Sequence, residues 1–217
     1  MSRIASAMPD WKKLIAAKTK QARRRDKPPR WQEGARVPPG QHLVENFPVL
    51  DLGVRPKIAI TDWRLRLFGL VEQEVTLDWA ALQTLPQSDI MCDFHCVTTW
   101  SQLDMPWRGV HAREVIELAR PLPDAHFVTL HSYDDYTTNL PLEALLEDDV
   151  LIAHSVYGQP LSAEHGGPVR LLVPSRYGWK SAKWLKAIEF HQHDRPGFWE
   201  ERGYHDNADP WREQRYR

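Results

Sequence analysis

The sequence predicts an α+β fold. Short apolar runs with strand-like alternation are mixed with short segments of helical spacing, and no regular βαβ rhythm links them. No internal repeat or low-complexity block appears along the 217 residues, a length that suits one core. Hydrophobic residues make up 42% and charged residues 26%, which excludes wholesale disorder.

The elements follow in order. Trp11, Leu14 and Ile15 fall at i, i+3 and i+4, so residues 10–25 read as a short amphipathic helix that Pro28-Pro29 ends. Pro28, Pro29, Pro38, Pro39, Pro48 and Pro56 make residues 28–57 an extended strap. The core begins near Asp62. There Trp63, Leu65 and Leu67 alternate with Arg64, Arg66 and Phe68, a half-buried strand. Thr76-Leu77-Asp78 opens a short helix through Leu82, stopped before Pro86. Residues 89–99 read as a strand running into a loop. Ala112, Val115, Ile116 and Ala119 keep helical spacing, with Pro121 as the stop. Residues 127–130 form a strand, and Pro141 starts a helix with Leu142, Leu145 and Leu146 on one face. The runs 150–153 and 169–173 are buried strands, and Ile188 and Phe190 alternate in another. From Gly197 the chain is aromatic and charged without periodicity, which predicts a surface-wrapping tail.

Composition limits the function classes. No stretch approaches the roughly 18 apolar residues of a membrane-spanning helix, and no apolar run at the N-terminus makes a secretory signal. Arg23-Arg24-Arg25 is followed by Asp26-Lys27-Pro28-Pro29, which does not begin a twin-arginine signal. Two cysteines cannot staple a chain this size, so the expected compartment is the reducing cytoplasm. Charge is uneven. Residues 1–36 carry eleven Lys/Arg against Asp10, Asp26 and Glu33, a net +8, and the remainder carries −9 with 17 basic and 26 acidic residues. This basic arm either meets an anionic partner or stays solvated against the acidic body, 37–217.

Two segments carry chemistry. The first is DFHCVTTWS around Cys96. Cys92 lies four residues earlier, roughly 13 Å along a strand, too far for a local disulfide. A lone cysteine is ordinarily a small buried hydrophobe; as a thiolate it serves as a nucleophile or a soft-metal ligand. His95 points to the opposite strand face, which weakens an adjacent Cys–His pair. The second segment, 164–190, places Arg170, Arg176, Lys180 and Lys183 among Gly166-Gly167, Gly178 and Ser181. Cations interleaved with small residues suit an anionic, phosphate-bearing cofactor, because guanidinium and backbone N–H groups grip phosphate oxygens. A cationic surface loop anchored by tryptophan is the alternative. Neither GxxxxGK[ST] nor GxGxxG is present.

Together, FHCVTTWSQLDMPWRGV (94–110) and HGGPVRLLVPSRYGWKSAKWLKAIEF (165–190) resemble the molybdopterin-binding domain of sulfite oxidase-like oxidoreductases. The similarity is greatest to short bacterial members that also resemble the catalytic subunit of methionine-sulfoxide reductase. RVPPGQHLVENFPVLDLG (36–53), WRLRLFGLVEQEVTLDWAALQTLP (63–86), HFVTLHSYDDYTTNLPLEALL (126–146) and GFWEERGYHDNADPWREQRY (197–216) extend the resemblance over 37–217.

The resemblance implies a molybdenum–molybdopterin cofactor, with Cys96 as the thiolate ligand of the metal. It matches His165, Arg170, Ser181, Ala182 and Lys183 to cofactor-binding positions, and Ser132 and Asn46 to further contacts. His95, Tyr136 and Arg176 become candidates for the substrate pocket. A metal held by two dithiolene sulfurs, oxo groups and one thiolate accounts for a cysteine-poor chain. The implied reaction is two-electron oxygen-atom transfer on a small substrate. No CxxCH or iron–sulfur cysteine set is present, so an external carrier (a cytochrome, flavoprotein or quinone-linked protein) is expected to exchange the electrons. The chain has no counterpart of the dimerisation domain of animal sulfite oxidases, and a monomer is expected. VTTWSQLDMPW is neutral to acidic with two tryptophans, which favours an uncharged S- or N-oxide over sulfite. Sulfite oxidation is the alternative within the family. Outside it stand a Cys96-dependent hydrolase with a distant histidine and a non-catalytic anion- or nucleic-acid-binding module led by the basic arm. That arm has no recognised nucleic-acid motif, and no nucleic-acid partner is expected.

Overall fold

The computed structural model describes residues 36–217, and the helix read over 10–25 and the basic arm short of Arg36 lie outside them. Arg36 itself pairs with Asp93 at 2.6 Å and Asp104 at 2.7 Å. Among the described residues, two mixed sheets and three short α-helices make up the fold, as an α+β class requires.

One sheet contains β1 (His42–Leu43), β4 (Gln87–His95), β5 (Trp100–His111), β8 (Leu151–Val156), β9 (Gln159–Pro160) and β10 (Arg170–Leu172). The path β1-β5-β8-β10 is flanked by β4 on β5 and β9 on β8. The other sheet runs β3 (Val75–Asp78), β2 (Arg64–Gly69), β11 (Leu185–His191), β6 (Phe127–Ser132) and β7 (Thr137–Pro141). Pairing is antiparallel except β1 with β5 and β11 with β2.

Alternation explains β2, where Leu65 and Leu67 are buried and Arg64 and Arg66 exposed. Burying each leucine contributes about 1.5–3 kcal/mol relative to exposure. Helix α1 (Trp79–Thr84) starts at Asp78, whose carboxylate accepts from Ala81 N at 2.8 Å. Thr76 and Leu77, read above as the start of that helix, belong to β3 instead, because pairing with β2 takes their backbone groups. Helix α2 (Ala112–Ala119) buries Ala112, Val115, Ile116 and Ala119, the predicted face. Helix α3 (Leu142–Leu145) buries Ala144 and Leu145 but leaves Leu146 exposed, so its inward face is narrower than the leucine spacing suggested.

β5 and β7 are not evident in the alternation. β5 carries Asp104 at φ 53° and shifts register between Cys92 and Phe94, a bulge that breaks its period. β7, TTNLP, is largely polar and is held by pairing with β6. The C-terminal segment corrects a further expectation. It does more than wrap the surface, since Trp199, Glu200, Tyr204, Ala208 and Arg215 are buried and Arg215 Nη1 donates to Val97 O at 2.6 Å. One contiguous core draws Leu65, Leu67, Ile188 and Phe190 from one sheet and Val110, Ile152 and Leu171 from the other. Among the described residues, no helix is long and apolar enough to cross a membrane.

Candidate cofactor site

The two sheets exchange chain at the connection from β10 to β11, residues 173–184. A cleft opens beside it, enclosing about 860 Å³ of empty space with its open mouth included. Five segments wall it: Phe47–Leu52 after β1, the β4–β5 turn, Asp134 and Tyr136 in the β6–β7 turn, Arg170 with Gly178–Trp184, and Trp199 and Tyr204.

Cys96 is the first residue of the tight turn joining β4 and β5. Thr99 N donates to Cys96 O at 3.0 Å, and Cys96 N donates to Trp100 O at 2.9 Å. Thr99 takes φ 76° to reverse the chain. The turn directs the Cys96 thiol to the cleft wall, with the Thr98 hydroxyl 3.2 Å from the sulfur. Cys92 is on β4, does not line the cleft, and burial pushes its thiol up to about 12. The two cysteines form no disulfide.

Arg170, the first residue of β10, also lines the cleft. Its guanidinium is fully buried and donates to three carbonyls: His165 O at 2.9 Å, Ser181 O at 2.9 Å and Leu171 O at 3.4 Å. It also lies 5.5 Å from the Phe94 ring centroid. Among the described residues no carboxylate pairs with it. Burial alone pushes it down to about 9, the direction of a cation lacking a counter-ion.

The loop carrying Ser181, Ala182 and Lys183 is rigidly tied. Gly178 N donates to His95 O at 2.7 Å, Leu171 N to Ala182 O at 2.9 Å, and Val173 N to Ser181 Oγ at 3.0 Å. Gly178 leaves room for the Phe94 ring: an added Cβ would stand 2.5 Å from it and force the ring to shift. Lys183 Nζ donates to Glu164 O and lies 5.4 Å from the Trp184 ring.

The structure thus brings Cys96, Arg170, Ser181, Ala182 and Lys183 to one cleft, and Tyr136 with them. It does not bring the others to the wall. Asn46 is exposed, whereas its neighbours Phe47 and Pro48 line the cleft. His165 stands behind Phe47, stacked on it at 4.3 Å with Nε2 3.1 Å from Phe47 O. Ser132 closes β6 beneath the wall, its buried Oγ lacking a hydrogen-bond partner. His95 does point away from the thiol, bonded through Nδ1 to Ser101 Oγ at 2.8 Å and set edge-on to Trp211. Arg176 is outside the cleft, beside Glu147 at 3.7 Å. Lys180 is buried against Glu200 at 2.6 Å and is structural.

Sequence reasoning passed over Thr98, Trp100, Asp51, Asp134, Trp179, Trp199 and Tyr204, all on the wall. Asp134 in the motif YDDY adjoins Tyr136 and was findable on that ground. Burial raises its carboxyl to about 6. The tail aromatics gave no periodic signal.

These features fit an anionic pterin that carries its own metal. A buried guanidinium without a carboxylate calls for an anion, and Trp100 Nε1, on the cleft wall, is a buried polar atom without a hydrogen-bond partner. Among the described residues, no group of three or more His, Cys, Asp or Glu is arranged to hold a metal. A metal carried by dithiolene sulfurs needs only one protein thiolate.

Comparison with known proteins agrees. Residues 52–199 match the family model described as an oxidoreductase molybdopterin-binding domain. The chain is 43% identical over 185 residues to the uncharacterized oxidoreductase YuiH of Bacillus subtilis (strain 168), covering 85% of this chain and 93% of that protein. It is 29% identical over 171 residues to the protein-methionine-sulfoxide reductase catalytic subunit MsrP of Campylobacter jejuni, covering 69% of this chain and 57% of that subunit. The chain therefore spans little more than half the length of that reductase. The sulfane dehydrogenase SoxCD of Paracoccus pantotrophus shares the fold, with TM-score 0.59 and 22% identity over 64% of this chain and 41% of that one. With the family model matched over more than half its length, the chain belongs to the oxidoreductase molybdopterin-binding domain family and is a molybdenum-dependent enzyme with a molybdenum–molybdopterin cofactor.

Proposed function

We propose that this enzyme reduces a small, uncharged S- or N-oxide by two-electron oxygen-atom transfer. One observation carries the reading: the charged residues on the cleft wall are two acids and two bases, Asp51 and Asp134 with Arg170 and Lys183. The remaining wall is largely aromatic, including Phe94, Trp100, Tyr136, Trp179, Trp199 and Tyr204. A dianion such as sulfite calls for surplus cations, and here both cations are matched to the anionic pterin. A balanced, aromatic wall suits a neutral oxide with apolar substituents.

The bound cofactor supplies the redox chemistry. Cys96 holds its metal, and Arg170, Lys183, Ser181 and Ala182 hold the pterin and its phosphate. The aromatic wall orients the substrate and excludes water. In the net reaction the oxide takes up two electrons and two protons, its S–O or N–O bond breaks, and water leaves. Asp134, its carboxyl raised to about 6, is the cleft group placed to hold and give a proton near neutrality. The relative MsrP is named as a catalytic subunit, which supports a separate electron-carrying partner for this chain too.

Steady-state assays decide the direction. Sulfoxides or N-oxides with reduced viologen should be turned over. Sulfite oxidation with a micromolar KM, and no detectable oxide reduction, overturns the proposal.

A further inference from the structure

We propose that the Thr98 hydroxyl donates a hydrogen bond to the Cys96 sulfur in the loaded enzyme and so sets the electron density that the thiolate gives the metal. The inference rests on Cys96 being the metal's protein ligand. Thr98 Oγ1 is 3.2 Å from Cys96 Sγ, inside the β4–β5 turn. The turn is fixed from several sides: Thr99 N to Cys96 O, Cys96 N to Trp100 O, and Gln41 Nε2 to Cys96 O at 3.1 Å. Thr98 is therefore carried beside the sulfur inside a fixed turn.

Chemistry assigns the direction. In the isolated thiol either atom can donate. Once the sulfur has lost its proton to metal coordination it can only accept, and the hydroxyl is the donor that remains. Thr98 is only 4% exposed, so water does not readily replace this contact, and a buried hydroxyl without a partner is costly. Hydrogen bonds to ligating sulfurs withdraw electron density from the metal and raise its potential. Thr98 is a positioning and tuning residue and takes no part in the bond changes of the reaction.

The test compares purified holoenzyme with Thr98→Val, Thr98→Ala and Thr98→Ser variants, and with Cys96→Ser. Cofactor content is measured by oxidised-pterin fluorescence, and the metal by its reduction potential and electron-paramagnetic signal. Thr98→Val and Thr98→Ala should keep the pterin but lower the reduced-to-oxidised ratio about tenfold at fixed potential, or about 59 mV for one electron. Their paramagnetic signal should shift, and Thr98→Ser should restore both readouts. Wild-type potential and signal in both Val and Ala variants, alongside an altered Cys96→Ser, overturns the tuning role alone. A Ser variant that shifts as far as Val, or loss of pterin from both Val and Ala variants, also overturns it. A Cys96→Ser enzyme with a wild-type signal overturns the ligand reading and the tuning role together.

Discussion

The Lys180 ammonium and the Glu200 carboxylate meet at 2.6 Å with both side chains fully buried. Glu200 Oε1 also accepts from Trp179 Nε1 at 2.8 Å and Thr138 Oγ1 at 2.9 Å. Lys180 Nζ donates further to Asn139 O and Oδ1, each at 2.8 Å. The pair thus joins the cofactor loop, β7 and the C-terminal segment behind the cleft.

Removing one partner leaves an uncompensated buried charge. Lys180→Met should cost about 3–5 kcal/mol, read from denaturant midpoints. The double variant Lys180→Met/Glu200→Leu should recover much of that loss. Equal destabilisation in the single and double variants would contradict the charge account.

Arg170 and Lys183 should each matter for cofactor retention. Charge-assisted hydrogen bonds contribute about 1.5–3 kcal/mol, so Arg170→Ala and Lys183→Ala should each weaken binding roughly ten- to a hundred-fold. Lys12→Ala and Lys13→Ala should leave pterin content unchanged. Equal losses in all four would indicate a general charge effect without a specific site.

Gly178→Ala places a methyl group 2.5 Å from the Phe94 ring. Overpacking of this kind costs about 1–3 kcal/mol. The variant should lose stability and pterin together, because the displaced ring also packs against Arg170. A stable variant with full pterin content would show that the wall yields more easily than its packing suggests.

Asp134 sets one pH dependence. Burial raises its carboxyl from 3.8 to about 6, so between these values the folded chain binds more protons than the unfolded one. Its contribution is fully present below 3.8 and is lost as pH rises through about 6. Asp134→Asn should therefore gain stability relative to the parent as pH rises from 4 to 7. Denaturation of both proteins across that range checks it; a constant difference would contradict the raised value.

Much of the fold was legible because burial leaves a period. Leu65 and Leu67 on β2, and Ala112, Val115, Ile116 and Ala119 on α2, appear inward as their spacing requires. β5 and β7 were not, since a bulge at Asp104 and a polar sequence remove the alternation, while pairing with the neighbouring strands β4 and β6 holds them. The site divided in the same way. Cys96, Arg170, Ser181, Ala182 and Lys183, matched to cofactor positions by the family resemblance, share the cleft. Trp199 and Tyr204 reach it only through the docking of the tail, which no local pattern in the sequence encodes. Lys180 looked equivalent to Lys183 until Glu200, twenty residues further along, claimed it.

We propose that Cys96 alone supplies the protein's bond to the metal. Electron-paramagnetic spectroscopy of Cys96→Ser and Cys92→Ser holoenzymes, with pterin content measured on the same samples, tests it most directly. Cys96→Ser should keep the pterin, change the metal signal and lower activity by orders of magnitude, while Cys92→Ser matches the parent. Indistinguishable spectra from the two variants, or a changed signal in Cys92→Ser alone, would contradict it.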